Sequence, residues 1–572
     1  MQKEIFIGNQ KLNIDQALSE GKEVKLGNES FYKISNIDTI RPFFISLASA
    51  DDHWLFISSN GGISAGRGNA DNSLFPYYTD DKITENAEHT GTKSIFQVEK
   101  RGKTFLWEPF SDFYKGAYNI QRNLYKNLTG NKIIFEEINL DLGLNFSYEW
   151  STSKLFGFTK NAKVLNLNNS SVKISCVDGL QNILPWGVEE GMQTNTSNLV
   201  DAYKRNELQL ESKLGIFSLS AIIVDKAEPS EALKSNIVWS PDFLSSTRLL
   251  SNLQLDKFRK GGNLKLETDI KGERGSYFIH FKTTLKPKQG KDWIMVANTG
   301  LDHSQIVGLT SKLSSPKKIK EDVLNDLREG QGELIRLISC SDGIQKTQDR
   351  NRNLRHFSNT LFNIMRGGIF DHNYQINKND FLGYLNKANK KVYKKYSASI
   401  DALPANFHFS KLYKLSSLDS PDLYRLVTEY MPIKFSRRHG DPSRPWNKFD
   451  IKMRDKNTGD KVLDYQGNWR DIFQNWEALA ASYPEFIFSM IFRFLNATTA
   501  DGYNPYRLTK DGFDWETLEA DNPWSYIGYW GDHQIIYLLK FLEFAENYFP
   551  GKLQGYFDKN IFVYANVPYK IK

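Results

Sequence analysis

The sequence predicts a multidomain chain of β-then-α class, a large β-sandwich followed by a helical domain. Three observations carry this. Residues 1 to about 315 hold short alternating runs bounded by Gly, Asn, Asp and Ser. From about 345 onward apolar residues recur at helical spacing. Around 316 the character changes, where "KKIKEDVLNDLREG" (317–330) has the spacing of a linker helix. The 572 residues exceed one ordinary domain. The expected divisions are a β-sandwich over 1–315, a helical linker over 316–345 and a helical domain over 346–572.

Within the first region the strand runs are "HWLFISS" (53–59), "SIFQVEK" (94–100), "KIIFEEINL" (132–140), "LNFSYEW" (144–150), "VKISCV" (172–177), "FSLSAIIV" (217–224) and "YFIHFKTTL" (277–285). Many strands at short spacing with polar turns indicate a sandwich rather than alternating βα units. "SSNGGISAGRGN" (58–69) is Gly-rich, but no helix-forming sequence follows it, so it fails the phosphate-loop and dinucleotide patterns and reads as a hairpin or loop. In the last region "RNLRHFSNTLFNIMRGG" (352–368) puts Leu354, Phe357, Leu361, Ile364 and Met365 on one face, and Gly367 and Gly368 supply a stop. Further helical segments follow, and a long connection of about 431–468 separates two of them.

Bulk composition excludes several functions. Apolar residues make up 40% and charged residues 25%, ordinary for a globular chain with a sizeable core. The net charge of +7 is small for this length, and Lys-rich pieces such as "NKANKKVYKK" (387–396) read as solvated helix faces or linkers, so no nucleic acid is expected. The N-terminus lacks an apolar leader core, and no apolar run approaches the roughly 18 to 20 residues that span a bilayer. With only Cys176 and Cys340, far apart, a reducing compartment is expected, and the localisation expected is cytoplasmic without membrane contact. No His or Cys pair has metal-ligand spacing, so no metal and no cofactor is expected. The aromatic share of 13% is high, which implies large packed surfaces or a ligand that stacks on aromatic faces.

Three segments of the helical region could carry chemistry. "RRHGDPSRPWN" brings Arg438, His439, Asp441, Arg444 and Trp446 into one loop, either cross-linked by Arg–Asp pairs or forming a rim for an anion or a polyol. "YQGNWRDIFQNWEALA" (465–480) reads as a helix from near Asn468. Asp471 then falls in its first turn, and Arg470, Gln474 and Glu477 share one face, while Ile472, Trp476 and Leu479 can turn to the core. Asp471 there is either simple helix-dipole chemistry or a sugar contact, and Trp476 a nearby aromatic wall. "NPWSYIGYWGDHQIIYLLKFLEF" (522–544) places Asp532 before an apolar-periodic helix, where it is an N-cap or a ligand group. The loop "ADGYNPYRLTKDGFDWE" (500–516), with Tyr503, is expected over the same helical ends.

The order of these motifs resembles glycoside hydrolase family 94, the cellobiose and chitobiose phosphorylases and their relatives. Helix entry with Arg-Asp, then an "ADG…P" loop, then a helix opened by an Asp carry the likeness. The resemblance implies an N-terminal super-β-sandwich, a helical linker and an (α/α)6 six-hairpin barrel. It implies that Arg470, Asp471, Gln474, Trp476, Glu477, Asp532, Trp446 and Tyr503 line the sugar site, with Arg438, His439 and Arg444 as phosphate candidates. The family has a second Asp five residues after its Arg-Asp, where Asn475 stands, and an Asp-Asp pair where Asp532 is followed by His533. Its general acid lies in a Gly-Asp-Trp-Asn-Asp-like loop that has no counterpart before Lys572, and the helices from 350 number about half of those such a barrel needs. The acid is therefore expected beyond Lys572, and a complementary chain or a homodimer is the expected partner besides an oligosaccharide.

The activity implied is inverting phosphorolysis of a β-linked gluco-oligosaccharide to a sugar 1-phosphate, with inorganic phosphate as co-substrate. Phosphate replaces both the water and its catalytic base, so one carboxyl group suffices. The alternatives are an inverting hydrolase, for which Asp441, Asp471 or Glu477 would be the base, and a non-catalytic half-barrel that binds carbohydrate.

Overall fold

The computed structural model describes residues 4–13, 17–223, 231–416, 420–438, 440–444, 449–455, 458–515 and 534–566. The chain is a β unit followed by a helical unit. The first comprises residues 1–334 together with 441–446, and the second residues 335–440 and 447–572.

The β unit is built on an antiparallel sheet of eleven strands. From one edge they run Asp269–Lys271, Lys204–Gln209, Leu214–Leu219, Lys234–Trp239, Gly290–Asp302, Gly157–Asn166, Leu144–Ser153, Ile133–Asn139, Ile120–Asn127, Glu29–Ser35 and Glu20–Leu26. A five-stranded sheet centred on Gly91–Lys100, Val172–Ile183 and Gly275–Leu285 and a four-stranded sheet from Phe44–Leu47 to Ser73–Phe75 complete it. Alternation sets which face is buried. Ile133, Phe135, Glu137 and Asn139 are buried while Ile134, Glu136 and Ile138 are half-exposed, the period of two a sheet requires. Phe135, Tyr148, Ala162 and Trp293 stand directly opposite one another across four strands and form one inward row. One core cluster joins residues of all three sheets, among them Ile57, Phe96, Phe146, Cys176 and Trp293. The Gly-rich 58–69 stretch is the hairpin between His53–Ser58 and Ile63–Arg67, turned at Gly61 with φ of +97°.

Helix begins earlier than the change in composition near 316 implies. Asp302 caps the helix His303–Leu313 in a reciprocal arrangement with Gln305, and the longer helix Pro316–Ser339 follows. Ile319, Val323 and Leu327 of that helix pack on Trp239, Ile294 and Val296 of the large sheet. The division between units falls inside it, after Leu334.

The helical unit contains Arg350–Gly367, Lys378–Ala388, Lys390–Asp401, Ser410–Leu415, Pro421–Glu429, Trp469–Ser482, Ile487–Ala497 and Gln534–Tyr548. The Trp469–Ser482 helix lies against both Arg350–Gly367 and Gln534–Tyr548. Gly368 ends the Arg350–Gly367 helix at φ of +79°, and a Cβ there would stand 2.3 Å from Ile433 Cγ2, so only glycine fits. Small antiparallel ladders tie the helix ends together. Gln466–Asn468, Arg507–Thr509 and Gly512–Asp514 form a three-stranded sheet, and Arg437–Arg438 pairs with Asp450–Ile451. Among the described residues no helix is long and apolar enough to cross a membrane.

Candidate functional site at the entry of the Trp469–Ser482 helix

The helix starts at Trp469 with Asn468 as its N-cap, and the hairpin "RLTKDGFD" pins that end. Its first strand pairs with Gln466–Asn468, and the Trp469 amide donates to Tyr506 O at 2.9 Å. The loops 431–468 and 500–515, far apart in sequence, therefore meet beside one helix entry. Arg507 donates to Asp514 and, at 3.4 Å, to Gln466 Oε1, while the Gln466 amide donates to Asp450 Oδ2 at 3.1 Å. This chain of polar groups rims the first turn.

Along the helix the faces divide as the spacing predicts. Arg470 and Gln474 are exposed and Glu477 is half-buried. The Arg470 side chain is 48% exposed, with Nε 3.9 Å from Asp471 Oδ1, whereas Asp471 itself is buried. On the opposite face Trp469, Phe473 and Trp476 are fully buried and stack edge-on with one another. Trp476 thus departs from the expected role of an aromatic wall. Its indole donates to Gly367 O at 3.1 Å, which fixes it in the core between helices. Asn475, where the resemblance expects an acid, is likewise buried, its Cβ close to Gly367.

The neighbouring helix supplies two residues that sequence reasoning missed. Lys540 Nζ lies 2.6 Å from Glu477 Oε1, and that hydrogen bond raises the ammonium pKa. Burial, followed by the charge of Glu477, pushes the Tyr537 hydroxyl up as well. The i, i+3 spacing of Tyr537 and Lys540 on one helix face was the available signal, and "TKDG" between β-capable residues was the signal for the hairpin that carries Arg507 and Asp514.

The other expected contacts are dispersed. Tyr503 is half-buried in the 500–515 loop, its amide donating to Thr499 Oγ1 at 2.9 Å. Asp441 and Arg444 belong to the β unit; the Arg444 amide donates to Asp441 O at 2.8 Å and the side chain is exposed. Backbone pairing sets Arg438 opposite Asp450. The Arg438 side chain, His439, Trp446 and Asp532 lie outside the described residues. Among the described residues no group of three or more His, Cys, Asp or Glu is arranged to hold a metal ion.

Residues 370–432 match glycoside hydrolase family 149 insertion domain 1. This block holds the helices from Lys378 to Glu429 and the Gln375–Asn377/Asn406–His408 ladder. The match supports a carbohydrate-active protein of glycoside hydrolase kind and names no substrate. No curated protein matches the chain in sequence. Among solved structures, a bacterial glucoamylase complexed with acarbose is 10% identical, with 89% of this chain and 73% of that one covered and a TM-score of 0.33. A galactose mutarotase-like protein from Clostridium acetobutylicum is 10% identical over 49% of this chain and 98% of that one, TM-score 0.25. A protein named as a kojibiose phosphorylase, from the human microbiome, is 10% identical over 74% of this chain and 42% of that one, TM-score 0.23. TM-scores this low leave the fold to be argued from the chain's own elements.

Proposed function

We propose that the chain takes part in inverting phosphorolysis of a β-linked gluco-oligosaccharide, in the manner of the family 94 phosphorylases its motif order resembles. The carrying observation is the entry of the Trp469–Ser482 helix. Arg470 and Gln474 are exposed there beside the rim of Gln466, Asp450, Arg507 and Asp514. A sugar ring offers vicinal hydroxyls that both donate and accept, and guanidinium, amide and carboxylate groups at fixed spacing satisfy them.

Phosphate rather than water as the attacking group follows from the likeness in motif order. Asp450, Asp514 and Glu477 each accept from Gln466, Arg507 and Lys540 respectively. A hydrolase would use a carboxylate such as Asp471 or Glu477 to activate water, whereas in a phosphorylase the phosphate oxygen attacks the anomeric carbon while an acid protonates the leaving oxygen. The test is release of sugar 1-phosphate from a panel of β-linked gluco-oligosaccharides incubated with phosphate, alongside phosphate-independent free sugar. Sugar phosphate is the expected product. Free sugar alone would make the chain a hydrolase, and binding without either product would make it a carbohydrate-binding subunit that needs a complementary chain. Arg470→Ala should abolish binding of the preferred sugar while leaving the unfolding midpoint nearly unchanged, since its side chain is half-exposed.

A further inference from the structure

The β unit contains a pocket of about 380 Å³ that the helix-entry site does not involve. Its lining cations, Lys93 and Arg259, belong to an ion network that reaches Glu108 behind them. Glu108, whose side chain is fully shielded, accepts from Arg259 Nε at 2.6 Å and Nη2 at 3.0 Å, and Lys93 Nζ stands 3.2 Å away. Lys93 also donates to Glu88 at 2.8 Å, and the Asp112 amide reaches the other Glu88 oxygen at 2.7 Å. Arg259 also donates to Asp256 Oδ1 at 2.6 Å, so three acids share two cations and each of these charges already has a partner. The rim differs in kind. Phe113 is 65% exposed and Leu253 60% exposed, and both line the same pocket as Asp256 and Asn252.

We propose that this pocket binds a neutral polyhydroxylated ligand, a short glucan chain, as a saccharide site separate from the helix-entry site. An anion would have to take Lys93 or Arg259 from carboxylates that already hold them, and a cation would have to take Glu88 or Glu108 from those cations. An anion would also meet an excess of carboxylate, and a cation would have to shed its water to compete with charges that are already paired. Hydroxyls need no such exchange, because they add to the remaining lone pairs and N–H groups of Glu88, Asp256 and Asn252 without displacing a partner. Phe113 then covers the C–H face of a pyranose ring with Leu253 alongside, which accounts for two large apolar side chains exposed over a charged lining.

The test is titration of the full chain carrying Arg470→Ala with β-1,4- and β-1,3-linked glucopentaose, read by calorimetry, so that the helix-entry site does not contribute. Saturable binding is expected, and adding Phe113→Ala should weaken it about tenfold or more, the loss of one aromatic platform. Phe557→Ala, a residue 79% exposed in the helical unit, is the control that should change nothing. No saccharide binding in the Arg470→Ala chain would overturn the pocket as a glucan site and leave the phosphorolysis reading standing. Binding indifferent to Phe113→Ala, or inorganic phosphate bound in preference to glucopentaose, would also overturn it.

Discussion

Each unit buries a carboxylate among cations and tyrosines, and the two clusters are finished differently. In the β unit Asp178 accepts from Lys160 Nζ at 2.7 Å, Ser94 Oγ at 2.6 Å and Trp293 Nε1 at 2.7 Å, and neither Lys160 nor Asp178 is exposed at all. In the helical unit Glu429 faces Arg425 at 3.4 Å and Arg493 at 3.6 Å and accepts from Asn496. Around it the Tyr384 and Tyr465 hydroxyls and the Nε groups of both arginines are buried without a hydrogen-bond partner among the described residues. Burial pushes the Tyr465 hydroxyl up to about 12, so it stays a neutral donor near that carboxylate. A saturated cluster fixes one arrangement. A cluster with uncommitted donors tolerates rearrangement, and it lies in the unit that carries the helix-entry site.

The comparison breaks most visibly at Asp178. Asp178→Ala leaves Lys160 charged or forces it neutral in a dry core, and burial already lowers the Lys160 pKa. The expected cost is about 3–5 kcal/mol, measured by urea unfolding with tryptophan fluorescence, to which Trp293 should contribute directly. A cost under about 1 kcal/mol would mean that the core admits water and the contrast is false.

Two smaller substitutions sharpen the contrast. Ser94→Ala removes one satisfied partner of Asp178 and should cost about 1–3 kcal/mol. Tyr465→Phe removes a buried hydroxyl that makes no hydrogen bond among the described residues, and it should be neutral or slightly stabilising. Equal losses for the two would remove the distinction between a finished cluster and an unfinished one.

The same distinction explains what the sequence could reveal. Alternation exposed the β region, Gly367 and Gly368 marked a helix end, and the spacing of Arg470, Gln474 and Glu477 placed them on one face, because each of these signals is local. Trp476 was legible too, as part of the apolar stripe Trp469, Phe473 and Trp476 at i, i+4 and i+7, and that stripe outweighs its chemical suitability for a sugar wall. The Glu477–Lys540 pair spans 63 residues. The grouping of 441–446 with the β unit is equally non-local. No periodicity encodes such pairings; they follow from how helices and loops pack after folding.

A pH-dependent contrast comes next in size. Burial alone would raise the Asp371 pKa, but hydrogen bonds and charge from Lys461 and Lys434, the latter at 3.0 Å, hold it below the ordinary carboxylate value. A folded pKa below the unfolded one stabilises fully above about pH 4, and that stability is lost as pH falls through the lowered value. The His372 ring lies 3.7 Å from the same carboxylate. Helix content followed at 222 nm during urea unfolding from about pH 6 to pH 2 should therefore show an acid limb that Asp371→Asn flattens. An unchanged limb would assign the acid sensitivity elsewhere.

A small loss of stability is expected at Lys540 and Glu477, whose side chains are 40% and 30% exposed. Solvent screens such a pair, so Lys540→Ala should cost only about 0.2–1 kcal/mol. Its consequence for binding should be larger in proportion. Loss of the ammonium releases a carboxylate on the face that carries Arg470 and Gln474, which changes what a sugar hydroxyl meets there. Altered saccharide affinity with the unfolding midpoint within that narrow range would mark Glu477 as part of the binding surface. A midpoint shift with unaltered affinity would make the pair a tie between two helices and confine the site to the helix entry and its hairpin.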